Sequence, residues 1–231
     1  MRTLAIGDIH GCLTALRRLE EFVAIRPDDR VIVLGDYIDR GPNSRGVVDW
    51  VIDRTLSGQC VPLLGNHEIM MLDALGGHMR MDDWLNVGGR ETLQSYAIRG
   101  RTPHPRDVHE AHIRFLSQEL LRVYETETHI FAHAFINSEL SLREQPEWSL
   151  FWENCDGMAR HFSGKQVIVG HTSQRSGVPL NGGHFVCIDT RAYGGSGWLT
   201  CLDVDSGQYW QANQRGETRS DWLEEPHKPD T

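Results

Sequence analysis

Three short runs rich in β-branched and apolar residues, Thr3 to Ile6, Val31 to Leu34 and Val61 to Leu64, each end in glycine followed by a polar residue. Between them the apolar positions change to a helical period, first Leu13, Leu16, Leu19, Phe22 and Val23, then Val47, Val48, Val51 and Ile52. Strand, helix, strand, helix, strand is the pattern of a sheet with crossover helices. In such sheets ligand-binding residues gather just past the carboxyl ends of the strands. Asp8, Asp36 and Asn66 stand at those three exits and are expected to converge.

Residues 77 to about 121 break this rhythm. Met81 to Leu85 and Arg90 to Ile98 have helical character, Thr102-Pro103-His104-Pro105 interrupts, and Val108 to Leu121 is helical again. This predicts a helical insertion beside the site, inside a single domain of residues 1–213. Strands are expected at Val123 to Tyr124, Ile130 to His133, Gln166 to Val169, Phe185 to Ile188, Leu199 to Val204 and Tyr209 to Gln211. Asp205-Ser206-Gly207 would turn the chain between the last two. Residues 214–231 are polar, carry Pro226 and Pro229, and read as a loosely held tail.

With 231 residues, 39% of them hydrophobic and 24% charged, the chain has apolar material for one sizeable core. A net charge of −9 argues against a nucleic-acid partner, because phosphate backbones are held mainly by clustered Lys and Arg. No run approaches the roughly 18 apolar residues needed to cross a bilayer, so no membrane partner is expected. The first eight residues read directly as a strand, without a cleavable leader. The five cysteines, Cys12, Cys60, Cys155, Cys187 and Cys201, are widely spaced and form no C-x-x-C. Neither a disulfide framework nor a thiolate zinc site is suggested, and the cytoplasm is the expected location. The spacing says nothing of oligomeric state.

Five motifs follow strand-like runs: Gly7-Asp8-Ile9-His10-Gly11, Gly35-Asp36-Tyr37-Ile38-Asp39-Arg40-Gly41, Gly65-Asn66-His67-Glu68, Ala132-His133-Ala134 and Gly170-His171-Thr172. Each puts a carboxylate, imidazole or amide at a strand exit, and a neighbouring glycine lets the backbone approach a ligand closely. Any one of them alone reads as a turn, a helix cap or a hydrogen-bonded core histidine. Together they make a set of hard oxygen donors with imidazoles, which suits Mn, Fe or Zn. Glu68 reads as a favourable charge at a helix start, Cys12 as a small buried hydrophobe, and Trp148, Trp152, Trp198 and Trp210 as packing.

The ordered series resembles the metal-dependent phosphoprotein phosphatase family within the calcineurin-like metallophosphoesterases. Trp84-Leu85, Gly88-Gly89 and Thr92-Leu93 are similar to the W-L-x-x-G-G-x-x-T-L stretch of its bacterial and phage-type members. The resemblance implies an α/β fold, a four-layer α/β/β/α sandwich of two mixed sheets flanked by helices. It also implies two divalent metal ions, Mn2+ first, with Fe or Zn as alternatives. Asp8 and His10 would hold the first metal, Asp36 would bridge, and Asn66, His133 and His171 would hold the second. His67 would be the general acid, oriented by Asp39, and Arg40 would grip the phosphoryl oxygens. With a bridging hydroxide such a centre carries a charge of about +1, so a phosphate dianion is attracted to it despite the chain's overall −9.

Two departures stand out. Members of the family usually carry a second phosphate-binding arginine between the fourth and fifth motifs, where this chain has Leu150-Phe151-Trp152-Glu153-Asn154. Arg191, in Ile188-Asp189-Thr190-Arg191-Ala192-Tyr193, stands where glycine is typical, and it reads as a surface residue rather than a replacement for that cation. The function expected from the resemblance is a serine/threonine protein phosphatase, with dual specificity as an extension and a phosphoprotein or phosphopeptide as partner. The alternatives are a symmetrical dinucleoside tetraphosphatase or small-molecule phosphoesterase and, less favoured, a non-catalytic scaffold of the same fold.

Overall fold

In the computed structural model, which describes residues 1–226, each short apolar run becomes a strand buried on both faces. The N-terminal third runs β1 (Thr3–Ile6), α1 (Leu13–Val23), β2 (Arg30–Val33), α2 (Ser44–Leu56), β3 (Cys60–Pro62) and α3 (Asn66–Gly76). The insertion follows as α4 (Met81–Trp84), a π-helical turn (Leu85–Gly89), α5 (Arg90–Tyr96), a 3-10 turn (Pro105–Asp107) and α6 (Glu110–Gln118). Then come β4 (Val123–Glu125), β5 (His129–Ala132), α7 (Glu147–Trp152), β6 (Gln166–Val169), β7 (Leu180–Asn181) and β8 (Phe185–Cys187). The described chain closes with β9 (Leu199–Asp203), β10 (Gln208–Ala212) and β11 (Thr218–Trp222).

Two mixed sheets result, one ordered β11-β10-β9-β1-β2-β3 and the other β4-β5-β6-β8-β7. β1, β2 and β3 are parallel, with Leu4 opposite Val31 and Val31 opposite Cys60, whereas β9 joins β1 antiparallel. Side-chain alternation along the strands sorts the layers. Ala5, Ile32 and Leu34 point between the sheets and meet Phe131, Ile168 and Val186. Leu4, Ile6, Val31 and Val33 face the other way, onto Leu16 and Leu19 of α1 and Val47 and Val51 of α2. On the far side Ile130, Val167 and Val169 pack against Leu150 and Phe151 of α7. Strands covered on both faces read as continuous apolar runs, which is how these appear in the sequence.

The chain therefore forms an α/β structure of two mixed β-sheets flanked by helices, as the resemblance implies. The hairpin turn between Asp203 and Gln208 lies where expected. Residues 214–226 depart from the expected tail: Thr218–Trp222 pairs antiparallel with β10 and extends the first sheet by an edge strand. The remainder of that segment, residues 227–231, lies outside the described residues. β7 and α7 were also not anticipated, being too short to show a period. Among the described residues no helix is long and apolar enough to cross a membrane.

Candidate metal centre

The strand exits of both sheets meet at one end of the sandwich. From the first sheet come Asp8 and His10 after β1, Asp36 after β2, and Asn66 and His67 at the start of α3. From the second come His133 after β5 and His171 after β6. Asp8, His10, Asp36, Asn66, His67 and His133 are all buried. Two sets of ligand atoms each lie within 4.8 Å of one another: His10, Asp36 and His67, and Asp8, Asp36 and His133. Asp36 belongs to both sets. Asp8 thus groups with Asp36 and His133, while its carboxylate also accepts from the His171 backbone N–H at 3.1 Å. Asn66 Oδ1 lies 2.9 Å from His133 Nε2 and 3.2 Å from His171 Nδ1, so these three donors form one cluster.

The imidazoles are oriented from behind. His10 Nδ1 donates to the Ile38 carbonyl at 2.9 Å and His133 Nδ1 to the Leu34 carbonyl at 2.8 Å. Both therefore turn an Nε2 lone pair inward. His171 is reversed: its Nε2 donates to the Trp152 carbonyl at 3.3 Å and its Nδ1 faces the site. Backbone carbonyls that fix the tautomer in this way are the usual support of a metal-ligating histidine. Burial holds His10 well below the ordinary imidazole range, and burial together with His133 brings His171 down to about 4. Burial, reinforced by Asp189 and Asp36, raises Asp8. Burial also pushes Asp36 upward, but His133, His67, His10 and His171 outweigh it and keep that carboxyl below the usual range.

Ring nitrogens of two of these histidines converge on Asp36. Asp36 Oδ2 lies 3.4 Å from His10 Nε2, and Asp36 Oδ1 lies 3.5 Å from His133 Nε2. Such packing of carboxylate oxygens and imidazole nitrogens favours positive charge among them. One cation is visible: Arg40 Nη1 donates to His10 Nε2 at 2.9 Å, where a metal ion bound by His10 would take the same lone pair. The oxygen and imidazole donor set, buried and preoriented, fits divalent cations.

His67 shares the first set with His10 and Asp36, its Nε2 lying 4.0 Å from Asp36 Oδ2. Its Nδ1 donates to Asp39 Oδ2 at 2.7 Å. Asp39 in turn accepts from Trp84 Nε1 at 2.9 Å and from Thr92 Oγ1 at 2.6 Å, and Thr92 Oγ1 also accepts the Asp39 backbone N–H at 2.8 Å. The helical insertion thereby reaches the site through Trp84 and Thr92. Its motif was visible in the sequence, but its role was not. Gly88 completes the contact: its carbonyl accepts from Arg40 N at 3.2 Å, and a Cβ on it would lie 2.5 Å from that nitrogen. Glu68 also differs from its reading as a helix-start charge. Fully buried, it accepts the backbone N–H groups of Asp36 and Tyr37 at 2.9 Å each and of Gly65 at 3.1 Å, shaping the Asp36 loop. Tyr193 was missed as well; its ring centroid lies 5.0 Å from that of His10 and 4.6 Å from the Arg40 guanidinium carbon. Arg40 and Tyr193 border an open cleft of about 580 Å³, shared with Asn86, Gly88 and Arg90.

The profile of the calcineurin-like phosphoesterases matches residues 1–204. A symmetrical bis(5'-nucleosyl)-tetraphosphatase of Acidovorax sp. is 41% identical over 99 residues, which cover 42% of this chain and 32% of the relative. A second, from Erwinia tasmaniensis, is 32% identical over 158 residues, covering 65% of this chain and 47% of the relative. The chain thus spans about a third to a half of the length of these curated relatives. A crystal structure of a protein described as a proposed diadenosine tetraphosphatase superposes with a TM-score of 0.65 at 19% identity, covering 97% of this chain and 94% of the other. These findings correct the expected function: the curated relatives bear the tetraphosphatase name, and the assignment of phosphoserine and phosphothreonine proteins as substrates is overturned. What survives is the larger group to which both kinds of enzyme are similar, and with the profile running through every strand-exit motif from Asp8 to His171, the chain belongs to the calcineurin-like phosphoesterase family.

Proposed function

We propose that the chain is a two-metal phosphoesterase that hydrolyses dinucleoside polyphosphates, cleaving a bis(5'-nucleosyl) tetraphosphate symmetrically. The reading is carried by one observation: stretches of this chain are similar to curated relatives named for that reaction. The donor set supports it, because a carboxylate present in both ligand groups, Asp36, is suited to bridge two cations. His10 would complete one side and Asn66, His133 and His171 the other, while Asp8, which the resemblance pairs with His10, lies beside Asp36 and His133; Mn2+ is the preferred ion, with Fe or Zn as alternatives. When bound, the ion pair supplies an acidified water and neutralises phosphoryl charge.

The remaining steps belong to the side chains. Arg40 offers a planar, permanently charged fork to two phosphoryl oxygens. His67 is held by Asp39 through Nδ1, which directs Nε2 to deliver a proton to the departing oxygen. That oxygen is a phosphate oxygen when a tetraphosphate is split, and it departs more easily than an alkoxide. The test is product analysis with Mn2+. Diadenosine tetraphosphate should give two ADP, with kcat/KM at least about tenfold above that for a phosphoserine peptide. ATP plus AMP as products, or a preference for the peptide, would refute the reading.

A further inference from the structure

Seven non-glycine residues among those described adopt a left-handed backbone with positive φ: His10, Ala24, Asp36, Asp39, Arg40, His171 and Arg191. Strained backbone of this kind gathers at functional sites, where surrounding structure holds it in place. Five of the seven are residues of the centre described above, and Ala24 is the C-cap of α1. Arg191 is left, with φ of 61°. Its conformation is held by Asp189, whose Oδ1 accepts the Arg191 backbone N–H at 2.8 Å. Asp189 is itself buried and fixed by Ser173 Oγ at 2.6 Å.

The Arg191 side chain is anchored at its base, and among the described residues its guanidinium has no hydrogen-bond partner. Its guanidinium carbon lies 5.7 Å from the centroid of Tyr193, the ring that also carries Arg40 at 4.6 Å and touches His10. Two permanent cations are therefore gathered on one aromatic ring at the border of the cleft. Cation–π attraction favours each of them singly. Their mutual repulsion is relieved by an anion that spans both. Arg40 reaches His10 directly, whereas Arg191 meets His10 only through the Tyr193 ring they both approach. A substrate with a single phosphoryl group would use only the inner cation.

We infer that Arg191, positioned by Asp189 and Tyr193, binds the phosphate next to the one being attacked, and so selects polyphosphate chains over monoesters. This rests on the proposed phosphoesterase function and deepens it to a preference for substrates with at least two adjacent phosphoryl groups. The expected surface position of Arg191 is thereby given a purpose.

The test is calorimetric titration of the Mn2+-loaded protein with methylenediphosphonate and with methylphosphonate, so that no turnover is required. The native chain should bind the diphosphonate about tenfold more tightly, the worth of one charge-assisted contact. Arg191→Gly suits the positive φ and should fold; it should weaken the diphosphonate about tenfold and the monophosphonate less than about twofold. Arg191→Lys should recover part of that loss. Equal weakening of both ligands, or no change in either, would overturn the inference. Selectivity lost in Arg191→Gly with tetraphosphate cleavage absent from the native chain would refute the proposed substrate and uphold Arg191. Symmetric cleavage with no change in selectivity would do the reverse.

Discussion

Asp39 touches four groups from three parts of the chain and yet belongs to neither set of ligand atoms. Its work is to hold the His67 ring, with Trp84 and Thr92 taking the remaining lone pairs. An amide at this position cannot accept from all three donors at once. Asp39→Asn should therefore lower kcat about 10²–10³-fold on an alkyl phosphate, which needs a protonated leaving group. On p-nitrophenyl phosphate the loss should stay within about tenfold, since nitrophenolate departs unaided. Equal losses on the two substrates would remove the pair from proton delivery. Gly88 makes a sharper steric claim. Its φ of 126° and the 2.5 Å approach to Arg40 N leave no room for a methyl group. Gly88→Ala should cost about 1–3 kcal/mol of stability in urea denaturation and displace Arg40, with activity falling at least about tenfold.

At the scale of elements, buried acids tie neighbouring segments together through their backbone N–H groups. Glu68, in the first turn of α3, gathers the backbone N–H groups that follow β2, and its carboxylate stands high in pKa because of burial and the nearby Asp36. Asp29 does the same at the opposite end, joining the turn before β2 to Arg2 and Arg26. Burial pushes Asp29 up, but hydrogen bonds from Arg2 and Arg26 outweigh it and leave the carboxyl well below its ordinary range. Since the folded value lies below the unfolded one of about 4, the bridge contributes fully above that pH and is lost as pH falls through the folded value. Asp29→Asn should lower stability at pH 7 by about 1–3 kcal/mol and flatten the acid limb of the stability curve. An unchanged limb would show the bridge to be energetically idle. Glu68 also shows where sequence reading stops. An acid three residues past a helix cap is common, and only the fold shows that it serves a loop about thirty residues away. Asp8, Asp36, Asn66 and His171 were legible because a strand exit puts them in one place. Trp84 and Thr92 were visible as a motif without a partner, and β11 was hidden because Thr218 to Trp222 is mostly exposed and carries no apolar alternation. The substrate lay deeper still, since the metal ligands are what phosphoesterases of both kinds have in common.

For the whole molecule the donor set acts as a joint between the two sheets. Asp8, His10, Asp36 and Asn66 leave the first sheet, His133 and His171 leave the second, and the apolar contact between the sheets lies beneath them. Ions held by this set would bind only when both halves are docked, so their binding energy would add to folding stability. At about 100 times its dissociation constant each ion contributes about 2.7 kcal/mol. Two would raise the melting temperature of a chain this size by on the order of 10 °C. Calorimetry on metal-stripped protein should find two Mn2+ per chain, and adding Mn2+ should restore both the melting temperature and hydrolysis. Because Asp36 belongs to both ligand groups, Asp36→Asn should weaken both ions together and abolish turnover, whereas a residue serving one ion alone would leave the other bound. An Asp36→Asn protein that still takes up two ions with native affinity would separate the groups and dissolve the joint.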